Sequence, residues 1–325
     1  MIKLKNVAGI DISKALFDVC LITNGHQQER TFTNDAKGIR EAGSWLSKEV
    51  HCVMEVTGAY YMRLARYLHQ AGFRVSVVNP LVIKRFSQMR LIRAKTDKAD
   101  ARMIAQYGMA EEMECWTPPA QYVVTLTQLD GISEQLQKLY TALSNQLTAF
   151  TETGMIAKQT KQCLLKAMRS ARQQQLEIER KIDVLMAGYH SEMLQHLTSI
   201  PGVGKKTATV LIVITGGFKK FKSHKQLSAF VGICPRVFES GSSIKGRARI
   251  CKMGMSRIRT LLYMCAWSAK KCNKACKELY ERLVAKGKSK RLALIAVANK
   301  LLKQAFAIAT SHQFYDQDYK KNICL

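Results

Sequence analysis

Four carboxylates stand out against an otherwise basic chain: Asp11, Glu55, Asp97 and Asp100. Asp11 closes a first strand-like run and Glu55 a fourth, while Asp97 and Asp100 stand three apart on one helical face. In an α/β layer the carboxyl ends of neighbouring strands lie together, and a later helix brings an i,i+3 pair to the same edge. Gathered carboxylates repel one another unless cations neutralise them. The pattern therefore points to one or two Mg²⁺ ions about 4 Å apart, able to clamp the attacking and leaving oxygens of a phosphodiester. Mn²⁺, with the same taste for oxygen ligands, is the natural substitute. A single strand-end Asp would be an ordinary turn or cap residue, so the argument rests on all four together.

Two other stretches carry chemistry. PGVG at residues 201–204, between two apolar helical runs, resembles a helix-hairpin-helix turn, in which Gly202 and Gly204 present backbone N–H groups to a phosphate. A plain turn between helices is the alternative, weakened by Lys205 and Lys206 directly after it. The Gly/Ser-rich segment ESGSSIKG at residues 239–246 holds three serines beside the cations Lys245, Arg247, Arg249 and Lys252, which suit a phosphate clamp. Composition does not select one serine among the three, and a flexible phosphate-binding loop explains the segment equally well.

The elements needed to position these groups are legible. Residues 7–11, 15–23 and 29–33 read as three short strands, with Gly25 turning the second into the third. A helix over 35–46, a buried strand over 51–55, a helix over 60–71 and a strand over 74–78 follow, a β-β-β-α-β-α-β order. Asn79-Pro80 ends the last strand, and 81–108 reads as helix broken near 95–98. From 126 to 197 apolar residues recur at helical spacing, as in Leu126, Leu129, Ile132, Leu136, Leu139 and Leu143, interrupted at Thr153-Gly154. This predicts a long helical hairpin or coiled coil, and extended amphipathic helices call for a partner. Three domains result: 1–120 with the carboxylates, 121–195 as the spacer, and 196–325 as a mostly helical basic domain.

Charge separates the domains. Lys and Arg number 51 against 24 Asp and Glu, a net of +27 over 325 residues. Residues 1–120 hold 17 basic and 12 acidic side chains and 121–195 hold 8 and 7, whereas 196–325 hold 26 and 5, a net of +21. A field of one sign on that scale attracts polyphosphate and favours nucleic acid over a small anion. No run of about 18 apolar residues and no exposed Trp/Phe-rich amphipathic helix suggests a membrane. The N-terminus leads straight into a strand pattern, so a cytoplasmic, prokaryotic protein that joins the nucleoid when acting is expected. The ten cysteines show no paired framework, the tightest spacing being Cys272 to Cys276; ordinary buried thiols are expected, and zinc is not.

The segments GIDISK, VMEVTGAYY, VSVVNP and AKTDKADARMIA resemble the RuvC-like, RNase H-fold domain of the DEDD insertion-sequence transposases, the bridge-RNA-guided recombinases. The resemblance continues through IPGVGKKTA, LSAFVGICPR, ESGSSIKG and ICKMG, so that nearly the whole chain is covered. Where the family reads FAAFxG, this chain has LSAFVG, a departure that touches packing and not chemistry. The resemblance implies Asp11, Glu55, Asp97 and Asp100 as the metal-binding tetrad and Ser240 as the nucleophile. It further implies target and donor DNA, a structured non-coding guide RNA, and a homo-oligomer, dimer or tetramer, with carboxylates and serine contributed from separate domains. The implied activity is an RNA-guided DNA transposase or recombinase that passes through a phosphoserine. Two rivals stand beside it: a RuvC-like structure-specific endonuclease using water, and a non-catalytic nucleic-acid binder.

Overall fold

The computed structural model describes residues 6–56, 58–91, 96–236, 239–240, 244–245 and 249–318. The chain divides into two compact units, Met1–Pro119 and Ala120–Leu325.

In the first unit, β1 (Asn6–Ile12), β2 (Leu16–Thr23) and β3 (His26–Thr33) form an antiparallel meander, and β4 (His51–Glu55) and β5 (Arg74–Val78) extend it in parallel. The sheet order is β3-β2-β1-β4-β5. This mixed sheet followed by a helical region is consistent with an RNase H-like DEDD domain. Alternation along β1 sorts the two faces. Ala8, Ile10 and Ile12 pack with α1 (Ala36–Trp45) and α2 (Tyr61–Gln70), whereas Val7 packs with α3 (Pro80–Met89) and α4 (Asp97–Ala110). Polar caps set where the helices begin. Asp35 accepts from the backbone N–H groups of Lys37 and Gly38, Asn79 accepts from Leu81 N–H, with Pro80 supplying a first residue that has no N–H to satisfy, and Thr96 accepts from Ala99 N–H. The expected break near 95–98 is thus a new helix start, which puts Asp97 and Asp100 in the first turn of α4.

The second unit opens with two long helices, α5 (Gln121–Glu152) and α6 (Lys158–Thr198). They run antiparallel: Tyr122 stacks on Tyr189 with ring centroids 4.1 Å apart, and Gln175 Nε2 donates to Gln137 Oε1 at 3.1 Å. Their open end shares a core with the C-terminal helices. Leu126, Ile182, Met186 and Leu197 pack with residues of α7 (Lys205–Thr215), α8 (His224–Val231), α9 (Ser256–Cys272) and α11 (Lys290–Ser311). Arg257 of α9 fixes this join, donating from both terminal nitrogens to the two oxygens of Asp130 and lying 3.1 Å through Nε from Glu134, both acids on α5. Helix α10 (Lys274–Ala285) completes the bundle. Among the described residues α11 alone is long and apolar enough to cross a membrane, yet Leu294, Val297, Leu301, Leu302 and Ala305 are its buried side chains, so it is the unit's core helix.

Two short ladders interrupt the helices: β6 (Pro235–Arg236) with β9 (Arg249–Ile250), and β7 (Glu239–Ser240) with β8 (Ile244–Lys245). Two-residue strands are too short to show period-two alternation, which is why the sequence reads as helix and loop there. The thiols also differ from expectation. Cys20, Cys52, Cys265 and Cys276 are buried, but Cys115, Cys163 and Cys272 are exposed, and Cys234 faces Cys251 with sulfurs 3.5 Å apart.

Candidate functional site

Helix α4 decides where the carboxylates meet. Its residues Ala101 and Ala105 sit so close to β1 that any side chain at Gly9 would collide with their backbone, and a Cβ at Gly108 would lie 2.7 Å from Val7 Cγ1 and 2.9 Å from Val53 Cγ2. Residue 108 therefore lies over Val7 and residues 101–105 over Gly9. The helix runs antiparallel to β1, and its first turn reaches the level of Asp11. Arg102 holds it there through a forked bond to Glu29 Oε1, at 2.7 Å and 3.1 Å.

Strand register supplies the rest. Ile10 pairs with Met54 across the parallel β1–β4 ladder, so Asp11 and Glu55 are the next residues at adjacent carboxyl ends. Both share the parity of Val7 and Val53, the face covered by α4. Asp11 is pushed from its ordinary 3.8 up to about 6, first by burial, then by the charges of Asp100, Glu55 and Asp97 in that order, and held back by a backbone hydrogen bond at Ile12. Asp18, opposite Asp11 in the β1–β2 ladder, is not among those charges; it accepts the Thr31 hydroxyl at 2.5 Å.

All four expected acids thus belong to one electrostatic neighbourhood. Among the described residues no three acidic, histidine or cysteine groups already close into a cage. Proximity of charge and absence of a cage are compatible, because like charges hold one another apart until an ion neutralises them. The donor set is carboxylate only, it sits partly dry, and its central member resists ionisation through burial and the three neighbouring charges. That chemistry fits a hard divalent cation, and a DEDD-type domain suggests divalent-metal dependence.

The same electrostatics yields a stability prediction. With a folded-state pKa above the unfolded one, Asp11 burdens the fold as pH rises through about 6 and costs nothing below about 3.8. Partial solvent contact scales that burden at neutral pH to about 1–2 kcal/mol. Asp11→Asn is therefore expected to raise the melting temperature of the full chain by roughly 2–4 °C in chelator at pH 7.5. The gain disappears near pH 4, and so does the cation-induced stabilisation expected of the parent chain. Thermal melts with and without Mg²⁺ at the two pH values check both parts.

The remaining candidate residues lie in the second unit. Gly202 has φ of +97°, and a Cβ there would stand 2.6 Å from the Ala269 Cβ, so this turn approaches α9 closely. Asn273, fully buried, donates to Pro201 O at 3.4 Å and to Gln304 Oε1 at 3.1 Å and accepts from Tyr315 at 3.2 Å, tying the turn to the bundle. Gly204 is the N-cap of α7 with open space around it, and Lys205 beside it is 2.8 Å from Asp183. The turn is thus locked by protein on the Gly202 side and open on the Gly204 side.

Ser240 ends β7, paired with Ile244, with Lys245 next in β8 and Arg249 in β9. The side chains of residues 236–249, including Arg247, Ser242 and Ser243, lie outside the described residues. The neck of this excursion is well anchored. Lys252 is exposed, with φ of +56°, and its N–H donates to Gly232 O at 3.2 Å; Cys251 N–H donates to Cys234 O at 3.0 Å. Gly254 adopts φ of +135°, and a Cβ there would collide with Phe230 O, so both the conformation and the close approach call for glycine. The acids and Ser240 fall in different units. Sequence reading missed Gly9, Arg102 and the Arg257–Asp130–Glu134 group; a glycine inside a strand was the one available signal, since it marks a close approach.

Known proteins resemble the chain along its length. Residues 8–154 match a DEDD transposase family model from IS110, and residues 194–281 match the transposase family described as IS116/IS110/IS902. The pilin gene-inverting protein of Moraxella lacunata is 31% identical over 96% of this chain and 98% of its own. Its namesake from Moraxella bovis is 32% identical with the same coverage. The transposase for insertion sequence element IS1111A from Coxiella burnetii is 24% identical over 95% of this chain and 91% of its own.

Proposed function

The chain belongs to the IS110 family of transposases, DNA transposases and recombinases, and from that premise we propose that it cuts and rejoins DNA strands through a phosphoserine on Ser240, with Mg²⁺ on Asp11, Glu55, Asp97 and Asp100 and a structured RNA choosing the sites. The observation that carries the metal half is the raised Asp11, surrounded by the charges of the other three acids. A divalent cation bound there neutralises a phosphodiester and favours loss of a proton from an attacking hydroxyl. Mn²⁺ substitutes for Mg²⁺ on an all-oxygen donor set.

The chain's own groups do the rest. The Ser240 Oγ–P bond forms as the P–O bond to deoxyribose breaks. The serine gives up its proton, the departing sugar oxygen takes one up, and one phosphodiester replaces another, so rejoining needs no high-energy cofactor. Lys245, Arg247, Arg249 and Lys252 hold the phosphate. The open Gly204 side of the turn, with Lys206, contacts backbone phosphates, Lys205 exchanging its Asp183 partner for them. RNA guidance accords with an abundance of phosphate-seeking charge and, in the sequence, no zinc finger or base-reading helix, because base pairing then carries the specificity.

The deciding experiment is recovery of a protease-sensitive protein–DNA adduct from the parent chain and not from Ser240→Ala. Free 5′-phosphate and 3′-hydroxyl ends without an adduct indicate a water-using endonuclease, and binding without cleavage a non-catalytic binder. A second reading, DNA inversion, is favoured by the 31% and 32% identity to proteins named for inverting a pilin gene. The strand chemistry is the same. A plasmid with two sites in inverted orientation separates the readings by its product.

Two predictions follow from the charge and the helices. The isolated second unit, residues 120–325, is expected to bind DNA or RNA with affinity falling at least about tenfold between 50 and 200 mM salt, while residues 1–119 bind far more weakly; electrophoretic titrations of both fragments measure it. Exposed Leu139, Leu176 and Val184 on α5 and α6 give the hairpin an apolar surface suited to a second copy. A dimer, or a tetramer of two dimers, is expected in light scattering, and mixing Asp11→Ala with Ser240→Ala chains should restore part of the activity. A strictly monomeric active species contradicts it.

A further inference from the structure

A cleft of about 500 Å³ opens in the second unit beside the neck of the excursion that bears Ser240. Ile233, just before β6, and Ile250 of β9 form one wall, and α9 and α11 form the others. Its polar groups are two guanidinium side chains and three hydroxyls: Arg259 from α9, Arg291 from α11, and Ser256, Thr260 and Tyr263 along one side of α9. Its lining includes no carboxylate, and among the described residues neither arginine is in an ion pair.

The arginines are not equivalent. Arg259 is half-buried, and one terminal nitrogen donates to Val231 O at 2.9 Å, the last carbonyl region of α8. That bond fixes the guanidinium and leaves its other N–H groups for a ligand. Arg291 is exposed at the start of α11, 32 positions on in sequence, and converges on the same cleft. Two unpaired guanidinium groups call for an anion, and their forked geometry matches phosphate. The lining also includes the apolar side chains of Ile233, Ile250 and Ile295 and the ring of Tyr263. A site that offers guanidinium groups together with aliphatic and aromatic surface fits a nucleotide: phosphate on the arginines, base or sugar against the aromatic and aliphatic side chains. The cleft is too small for a duplex, so the occupant is one nucleotide of a single strand.

We propose that this cleft is the subsite for a nucleotide drawn out of the DNA strand next to the phosphate that Ser240 attacks. Arg259 and Arg291 take its backbone phosphate, and Tyr263 packs on its base. The adjacency to the Ser240 excursion makes this a deepening of the serine reading, on which its functional meaning rests. It explains why the excursion springs from a neck clamped by Gly232, Cys251 and Lys252: the cleft's first wall is that neck, so strand and serine are held in one frame.

The test is a photo-crosslink on the full-length Ser240→Ala chain, which on the serine reading binds without cutting. A six-nucleotide single strand of thymidines carrying one 5-iodo-deoxyuridine is irradiated with the protein, and the labelled peptide is sequenced by mass spectrometry. The label is expected on Tyr263. Arg291→Glu, at an exposed helix start where folding is not at risk, should lower its yield roughly tenfold, Arg291→Lys about two- to threefold, and the remote control Lys286→Glu less than about twofold. Unchanged yield in Arg291→Glu, or a label confined to other helices, overturns the proposal. Stronger labelling by the matching RNA strand also overturns it, by giving the cleft to the guide. Because the serine is absent throughout, failure of Ser240 as nucleophile leaves this readout intact, and the two ideas fall separately.

Discussion

Asp11→Ala or Asp100→Ala is expected to abolish strand cleavage, a loss of at least about 10³-fold, while the chain stays folded and binds nucleic acid nearly as well as before. The expectation follows from position. Asp11 is the acid on which the other three charges act, and Asp100 acts on it most strongly of the three. Removing either takes a donor from a set whose affinity for a hard cation rests on carboxylate count. For Asp11 folding is spared, since its repelled carboxylate is a burden on the metal-free fold, and binding is spared because the basic excess lies after residue 195. Single-turnover cleavage with each variant, alongside a melt and a binding titration, measures all three quantities. Cleavage at the parent rate by either variant removes the tetrad from the mechanism.

The carboxylate neighbourhood was legible in the sequence because each of its parts obeys a local rule. Asp11 ends a run whose alternation marks a strand, Glu55 ends a short run that marks a buried one, and the break read near 95–98 is where Thr96 caps α4. What local rules do not contain is the packing that makes the parts meet. Gly9 admits α4 onto β1, and Arg102 reaches Glu29 across 73 positions, so neither role is visible without the tertiary contact. The second unit shows the same divide. Helical periodicity announced α5 and α6, but the pairing of Arg257 with Asp130 joins residues 127 apart, and only the folded bundle makes an otherwise costly partly buried charge acceptable. Likewise the cleft between α9 and α11 draws its two arginines from separate helices, each of which reads in sequence as one more cation in a basic domain.

Ser240→Ala is expected to remove the covalent adduct and strand exchange, by at least about 10⁴-fold, whereas Ser242→Ala and Ser243→Ala are expected to cost far less. The asymmetry is a statement about position. A hydroxyl that only hydrogen-bonds a phosphate is worth a modest factor and is partly replaced by water, while the atom that bonds to phosphorus has no substitute. Ser240 stands at the end of β7, in ladder register with Ile244, so its backbone is held by a strand pair. Ser240→Cys sharpens the test. A thiolate is a poor ligand for Mg²⁺, so that variant should be nearly silent in Mg²⁺ and recover part of its activity in Mn²⁺, which tolerates sulfur better. Rescue by the softer ion requires the attacking atom to be near the cation during the reaction, and a residue that merely shapes the loop would show none. The adduct is trapped, digested and sequenced by mass spectrometry. A phosphoester on Ser242, Ser243 or a tyrosine transfers the role to that residue, and no adduct under any trapping condition leaves a chain that hydrolyses DNA with water, for which Ser240→Ala would cost little.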